Sequence, residues 1–438
     1  MTLRPWLLAT VFGCSGYAAH DAPGASVPTP AAAASAEPML PAAASTQHVQ
    51  RPTADLPPPT ANTQPAHSLG DRPPSAANIQ PAHSPAAAGA PAPPPPAAAA
   101  CKAFIAPADC ELPSDTEPPR ELRCTGLYGD WKARELACGV RAYTPSFELW
   151  SDGAHKRRFV WLPEGSHIDA TDPDAFVYPV GTQFWKEFTL DSASGDAPLL
   201  GETRLLRKTT RGWLFTSYVW SRDGQSAIAT NAGVRDLFGT GHDVPQRSDC
   251  NRCHKGRADF ILGWDLLLLG DGATGITREL LQREGILQHA SAAALASSVP
   301  GDAIEGAALG YLHVNCGVSC HNALPKADAN DVGFQLRLDN AQLASVHETP
   351  AVRTGINQTP TPAALSFVTG TPFALQSYYD LRPLDSARSL VTVRMGMRGL
   401  LRQMPPIATN RVDTTGLQLV TAWVEHMDTA RGYPAPAP

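Results

Sequence analysis

Two short strings in this chain place cysteines and a histidine where together they could grip one cofactor. At Cys250 the residues run Cys-Asn-Arg-Cys-His, so Cys250 and Cys253 stand a helical turn apart and His254 follows at once. Cysteines at that spacing reach the two vinyl groups on one edge of a porphyrin, and the adjoining imidazole then points at its iron; this is the attachment pattern of c-type haem. The competing accounts are a zinc half-site, a redox dithiol and chance. At Cys316 the run is Cys-Gly-Val-Ser-Cys-His, with one residue more between Cys316 and Cys320 and His321 next. The extra residue departs from the usual spacing, but it can bulge out of the string. Histidine makes up 13 of 438 residues, about 3% per position, so its recurrence directly after a cysteine pair argues against chance. A zinc site shared by all four cysteines is awkward, because about 60 residues separate the pairs where zinc ribbons use 15–20.

Haem iron held by histidine usually takes a second axial ligand, and methionine sulfur is the common one. Met404 lies in Arg-Gln-Met-Pro-Pro, where two prolines exclude a helix interior and fix a loop that could hold the sulfur in place. Met395 and Met397 are rivals that fit better as helix packing. For the first string no methionine lies between Cys250 and Cys316, which leaves His242, His289 and His313 as nearby candidates. Each alone is more often a surface or core histidine; His313 is placed to bridge the two sites. A bis-histidine iron there would sit at lower potential than a His/Met iron, giving electron flow a direction.

These residues need elements to position them. Ahead of Cys316, Asp302 is an N-cap and Ala308, Leu309 and Leu312 recur at helical spacing, so a helix leads into the second string. From Asp413, Leu417, Val420, Trp423, Val424 and Met427 share one face, which predicts an amphipathic helix closing over the site. Between Tyr143 and Ala229 the runs RRFVWLP, TQFWKEFTL, ETRLLRKTT and GWLFTSYVW read as strands, with turn signals at Arg222-Asp223-Gly224 and Ser194-Gly195-Asp196. In the last run Trp213, Phe215, Ser217 and Val219 share one face and Leu214, Thr216, Tyr218 and Trp220 the other. Lys156, Arg157 and Arg158 could dock an acidic partner, though a solvated strand end is the commoner origin of such a cluster.

Cys101, Cys110, Cys124 and Cys138 precede this region. With no histidine among them, two disulfides pinning a small cap fit better than zinc; the connectivity is not readable. The chain opens MTLRPWLLATVFGCSG, with Arg4 before an apolar run about half the length a bilayer demands, so it reads as a secretory signal. VFGC resembles the bacterial lipoprotein box, which makes Cys14 a lipidation site; Phe12 fits that box poorly, and cleavage near Ala18 or Ala19 would instead release a soluble protein. Ser15 behind an acylated Cys14 implies the outer membrane. From 21 to 100 the chain is Ala, Pro, Ser and Thr with too few large apolar residues to offset ordering entropy, hence an extended tether. NTQPAHS at Asn62–Ser68 recurs as NIQPAHS at Asn78–Ser84, and a duplicated linker explains His67 and His83 better than metal binding. A net charge of −6 without a sustained basic run sets nucleic acid aside.

The stretches FELWSDGAHKRRFVWLP, YPVGTQFWKEFTL, ETRLLRKTTRGWLFTSYVW, PQRSDCNRCH, GYLHVNCGVSCHN and SLVTVRMGMRGLLRQMPPIATNRVD together resemble the bacterial two-haem c-type cytochromes that join an N-terminal β-domain to a C-terminal cytochrome c domain. The resemblance spans about Tyr143 to Thr429. It implies haem c at Cys250, Cys253 and His254, a second haem c at Cys316, Cys320 and His321, and Met404 as distal ligand. The resulting expectation is an α+β multidomain chain: signal 1–20, disordered linker 21–100, cysteine-rich cap 101–142, antiparallel β-sandwich-like domain 143–247, first haem segment 248–300, and a mostly helical cytochrome c-like domain 301–432. The expected function is electron transfer with a redox protein partner, in the periplasm or at the outer membrane through a lipid anchor. The alternative is a haem enzyme, a di-haem peroxidase or small-molecule oxidase, with one open iron site.

Overall fold

A computed structural model describes residues 101–438 apart from 112–113, 193–194, 196, 362–377 and 401. Cys14, His67 and His83 lie outside these residues, as do the signal and linker segments. The described residues belong to one compact unit.

The cap comes first. Its hairpin of β1 (Tyr128–Asp130) and β2 (Glu135–Leu136) is tied by disulfides Cys101–Cys138 and Cys110–Cys124, with Cα separations of 5.2 and 5.6 Å. The expectation of two disulfides holds, and their connectivity is now fixed. Leu122, Leu127, Tyr128 and Val140 of the cap pack on Phe159, Trp185, Leu205, Tyr218 and Trp220. Trp131 stacks on Trp220 with ring centroids 5.2 Å apart.

Those five residues belong to a six-stranded antiparallel sheet: β3 (Arg141–Tyr143), β4 (His155–Trp161), β6 (Gln183–Leu190), β7 (Leu199–Thr209), β8 (Gly212–Trp220) and β9 (Ala227–Thr230), each beside the next. The short β5 (Ile168–Asp169) leaves the sheet and pairs in parallel with β10 (Leu287–Gln288). All four strand runs read from the sequence are present. The sandwich is not, because the second layer is not a sheet. Alternation leaves apolar rows on both faces, Phe159, Trp185 and Leu205 on one and Val160, Phe184, Leu206 and Phe215 on the other, aligned in register. The chain covers the first with the cap and the second with Ile261, Trp264, Leu266, Ile276 and Leu281. Tyr143, Tyr178 and Trp264 meet Phe184 edge-on there, as Tyr143 meets Trp264, at 5.1–6.5 Å between centroids, while Tyr178 lies tilted against Trp264.

The C-terminal part is mostly helical. After α1 (Arg247–His254), α2 (Arg278–Arg283) and α3 (Ala292–Leu295) come α4 (Ala303–Leu312), α5 (Pro350–Gly355), α6 (Leu390–Met395) and α7 (Thr414–His426). α4 starts on a full capping box: Asp302 accepts from the Ile304 and Glu305 amides, and the Glu305 side chain accepts from the Asp302 amide. Val420, Trp423, Val424 and Met427 of the C-terminal helix region are fully buried against Leu309, Leu312, Leu336 and Ile356, as the periodicity foretold. Among the described residues no helix is long and apolar enough to cross a membrane.

Candidate cofactor sites

The first string occupies α1, where Cys250 and Cys253 face one way on successive turns and His254 ends the helix. The Nδ1 of His254 lies 2.5 Å from the Phe260 carbonyl oxygen. A carbonyl only accepts, so the proton sits on Nδ1 and Nε2 is left with a free lone pair. Phe260 adopts φ +62°, a left-handed conformation costly for a side chain of this size, and it is the carbonyl of this strained residue that meets the ring. The His254 ring rests 5.0 Å from that of Phe215 on β8.

The second string solves the same problem with a wider turn. α4 runs without a break into a π-helical turn, His313–Gly317. Val318 N–H donates to the His313 carbonyl and His321 N–H to the Cys316 carbonyl, both five residues back, at 2.8 and 2.9 Å. A π-turn takes up one residue more than an α-turn, so the extra residue between Cys316 and Cys320 is absorbed in the helix rather than extruded as a loop. His321 repeats the arrangement of His254: Nδ1 donates to the Phe334 carbonyl at 2.9 Å and Nε2 stays free. This anchoring of one ring nitrogen by a backbone carbonyl is what orients a metal-ligating imidazole.

A cavity of about 320 Å3 opens beside the second string. Cys316, Cys320 and His321 form part of its wall, Met404, Pro405 and Pro406 another part, and Phe334, Leu336, Leu390 and Met395 fill between. Met404 sits on the loop expected for it. The Gln403 amide pins that loop by donating to the Pro405 and Thr409 carbonyls at 3.2 and 3.0 Å, while the Met404 N–H donates to the Arg394 carbonyl at 3.1 Å. Met395 ends α6 and packs in the core while also touching this cavity, and Met397 does not line it. Two buried polar atoms in the wall, Arg402 Nε and Thr409 Oγ1, have no hydrogen-bond partner among the described residues. An apolar slot with two unsatisfied polar atoms fits a flat, mostly apolar group that carries acceptors.

The four thiols carry no disulfide. Burial pushes all four up, Cys253 and Cys316 to about 12. That opposes a reactive dithiol or a zinc thiolate, both of which need a lowered thiol. Among the described residues no group of three or more His, Cys, Asp or Glu side chains is placed to hold a metal ion. Burial likewise lowers both imidazoles, His254 to about 4, so both stay neutral.

The two strings abut, which their separation in sequence does not reveal. Gly256 lies against Ser319 so closely that a Cβ would overlap the Ser319 carbonyl oxygen. The buried Asn322 amide donates to the Gly256 and Gly317 carbonyls at 3.2 and 2.8 Å, and Asp328 pairs with Lys255 at 2.5 Å and Arg252 at 3.6 Å. Cys253 therefore lines the same cavity as Cys316 and Cys320.

A second, smaller cavity of about 50 Å3 adjoins His254, walled by Tyr143, Phe147, Leu149, Phe184 and Ile261 together with Arg158 and Lys186. None of the three histidines considered for this site lines it. His242 bonds Glu202 at 2.9 Å, and His289 is exposed beside Asp169. His313 does not bridge the sites: its Nε2 meets Asp265 at 3.2 Å and its Nδ1 accepts from the Leu338 amide, so both nitrogens are occupied. The basic cluster is not a solvated strand end either. Lys156 and Arg158 turn inward beside Glu148, while Arg157 projects from the other face toward Glu187. Set against family models, curated proteins and solved structures, the chain matches none of them.

Proposed function

We propose that this chain is an exported c-type cytochrome that binds two haem c groups, one through Cys250, Cys253 and His254 and one through Cys316, Cys320 and His321, and passes single electrons. The observation that carries the reading is the pairing of the strings: each presents a carbonyl-anchored imidazole with Nε2 free, and the two are packed backbone to backbone. Haem bound at either string would supply a one-electron couple. Around it the chain's own groups have plain tasks. His254 and His321 would each hold the iron of the group at their string, Met404 would be a further ligand at the second site, and the apolar walls would keep water away. The resemblance to two-haem cytochromes with a β-domain points the same way, as do the two disulfides of the cap, which suit an oxidising compartment. Lipidation at Cys14 would then hold the protein at the outer membrane, facing a redox protein partner.

The cavity at His254 favours a second reading, a haem enzyme with one open iron site, because neither methionine nor a second histidine lines it. Protein exported from a host able to attach haem settles both. A pyridine haemochrome spectrum and intact mass should count two porphyrins, and Cys250→Ala/Cys253→Ala or Cys316→Ala/Cys320→Ala should each remove one. Colourless protein with no added porphyrin mass ends the proposal. A high-spin iron that reacts with peroxide selects the enzyme over the carrier.

A further inference from the structure

Between β3 and β4 the chain turns at Ser151-Asp152-Gly153-Ala154. The Ala154 amide donates to the Ser151 carbonyl at 2.9 Å, and Asp152 and Gly153 take φ of +53° and +83°. Two left-handed residues in succession are what an Asp-Gly pair supplies, so the turn alone would account for an aspartate here. Its carboxylate nevertheless bonds elsewhere. It crosses to the methionine loop, where Oδ2 accepts from the Asn410 amide at 2.8 Å and Oδ1 from the Arg411 amide at 2.9 Å. Arg411 returns the contact, its Nη1 donating to the Asp152 carbonyl at 3.2 Å, and the Trp150 indole donates to the Arg411 carbonyl at 3.3 Å. The same segment grips the opposite side of the cavity. The Trp150 amide donates to Asn315 Oδ1 at 2.7 Å, and Asn315 Nδ2 donates to the Tyr311 and Glu148 carbonyls at 3.1 and 3.4 Å. Asn315 is buried and directly precedes Cys316. Leu149 and Trp150, lying between the two grips, line the cavity of the second string, and Lys156 of β4 donates to the Leu149 carbonyl and so ties the segment to the sheet.

Gln403 secures the methionine loop from within, through the Thr409 carbonyl, but the next two amides, those of Asn410 and Arg411, go to Asp152. We infer that residues 148–153 are a brace lent by the β-sheet region to the second string, and that Asp152 is the positioning residue that holds Met404 on the cavity wall it shares with His321; the inference rests on the haem reading above. A thioether is a weak, neutral ligand, so its hold on a metal depends on how firmly its loop is kept in place. A carboxylate accepting two main-chain N–H bonds suits that task, because bonds to a charged acceptor are stronger than neutral ones and do not depend on which side chains the loop carries. The brace also explains why one segment reaches both Asn315 and Arg411: it sets the string and the methionine loop against each other across the cavity.

The test uses full-length holoprotein carrying Asp152→Gly, Asp152→Asn or Asp174→Ala. Glycine keeps the left-handed turn and removes both acceptors, whereas asparagine keeps the turn and one acceptor. Asp174 is the control, since its carboxylate ties the β-sheet region to the helical part at another place, accepting from the Asn340 amide at 3.0 Å and from its side chain at 2.8 Å. Haem count and mass come first. Wild-type protein without porphyrin, or with porphyrin but no near-infrared sulfur-to-iron band, removes the parent reading and this one with it. With the band present, imidazole is titrated as a competitor for Met404 and loss of the band is followed. Asp152→Gly should raise the imidazole affinity at that iron roughly tenfold, and Asp174→Ala should match wild type. The isosteric Asp152→Asn should fall between them, and it carries the test if the glycine variant does not accumulate. An unchanged affinity in the Asp152 variants would overturn the assignment. So would an equal gain in Asp174→Ala, which would mean a general loosening rather than a hold on Met404.

Discussion

Single side chains distinguish the two proposed sites. Met404→Ala should leave the haem count at two but abolish the near-infrared sulfur-to-iron charge-transfer band and lower one potential; an unchanged band would remove Met404 from the iron. Asp265 is the structural counterpart. Burial would push its carboxyl up, but the bond and charge of His313 and the charge of Arg257 hold it at about 2. Glu202 is brought to about 2 in the same way by Arg204 and His242. Because both folded values lie below those of the unfolded chain, the stability they contribute is fully present above about pH 4 and is lost as pH falls toward 2. Denaturant midpoints measured down that range should fall, and Asp265→Asn, which leaves Arg257 and His313 without their anion, should cost about 3–5 kcal/mol. The strings and Met404 were legible in the sequence because their spacing is local. Gln403 and Asn322 were not, because each acts only on residues brought near by folding.

At the scale of elements, strands and helices were legible where period and caps agreed, as in β8 and α4. The two-sheet expectation failed for a reason visible in the same strands. Alternation reports that a face will be covered, and it is silent on whether a sheet, a disulfide-tied cap or a run such as Ile261–Leu269 does the covering. The π-turn likewise lies beyond pattern reading, since one extra residue in a cysteine string is equally compatible with a bulged loop. Its tightness makes it testable. Gly256→Ala would force the Cβ into the Ser319 carbonyl and Gly317→Ala into the Arg337 backbone, so each should destabilise by about 1–3 kcal/mol or more. Gly285→Ala, at a position with open space but φ +69°, serves as a control for backbone strain alone and should cost less. Equal losses in all three would mean that the contact between strings is looser than described.

For the whole molecule, the cap is the part that most depends on covalent support. Cys110→Ser/Cys124→Ser opens a loop with a sequence separation of 14 and should cost about 3 kcal/mol. Thermal melts of oxidised and reduced protein should show this as a lowered midpoint; identical melts would show that the Leu122 and Leu127 packing suffices without the bridge. The meeting of Gly256 with Ser319 has a different kind of reach. Because main chain rather than side chain sets that approach, the gap an electron must tunnel across between the two proposed rings is geometrically fixed, whereas the walls around each ring are free to vary. A substitution at Met404 would therefore retune the driving force of the hop and leave its distance alone.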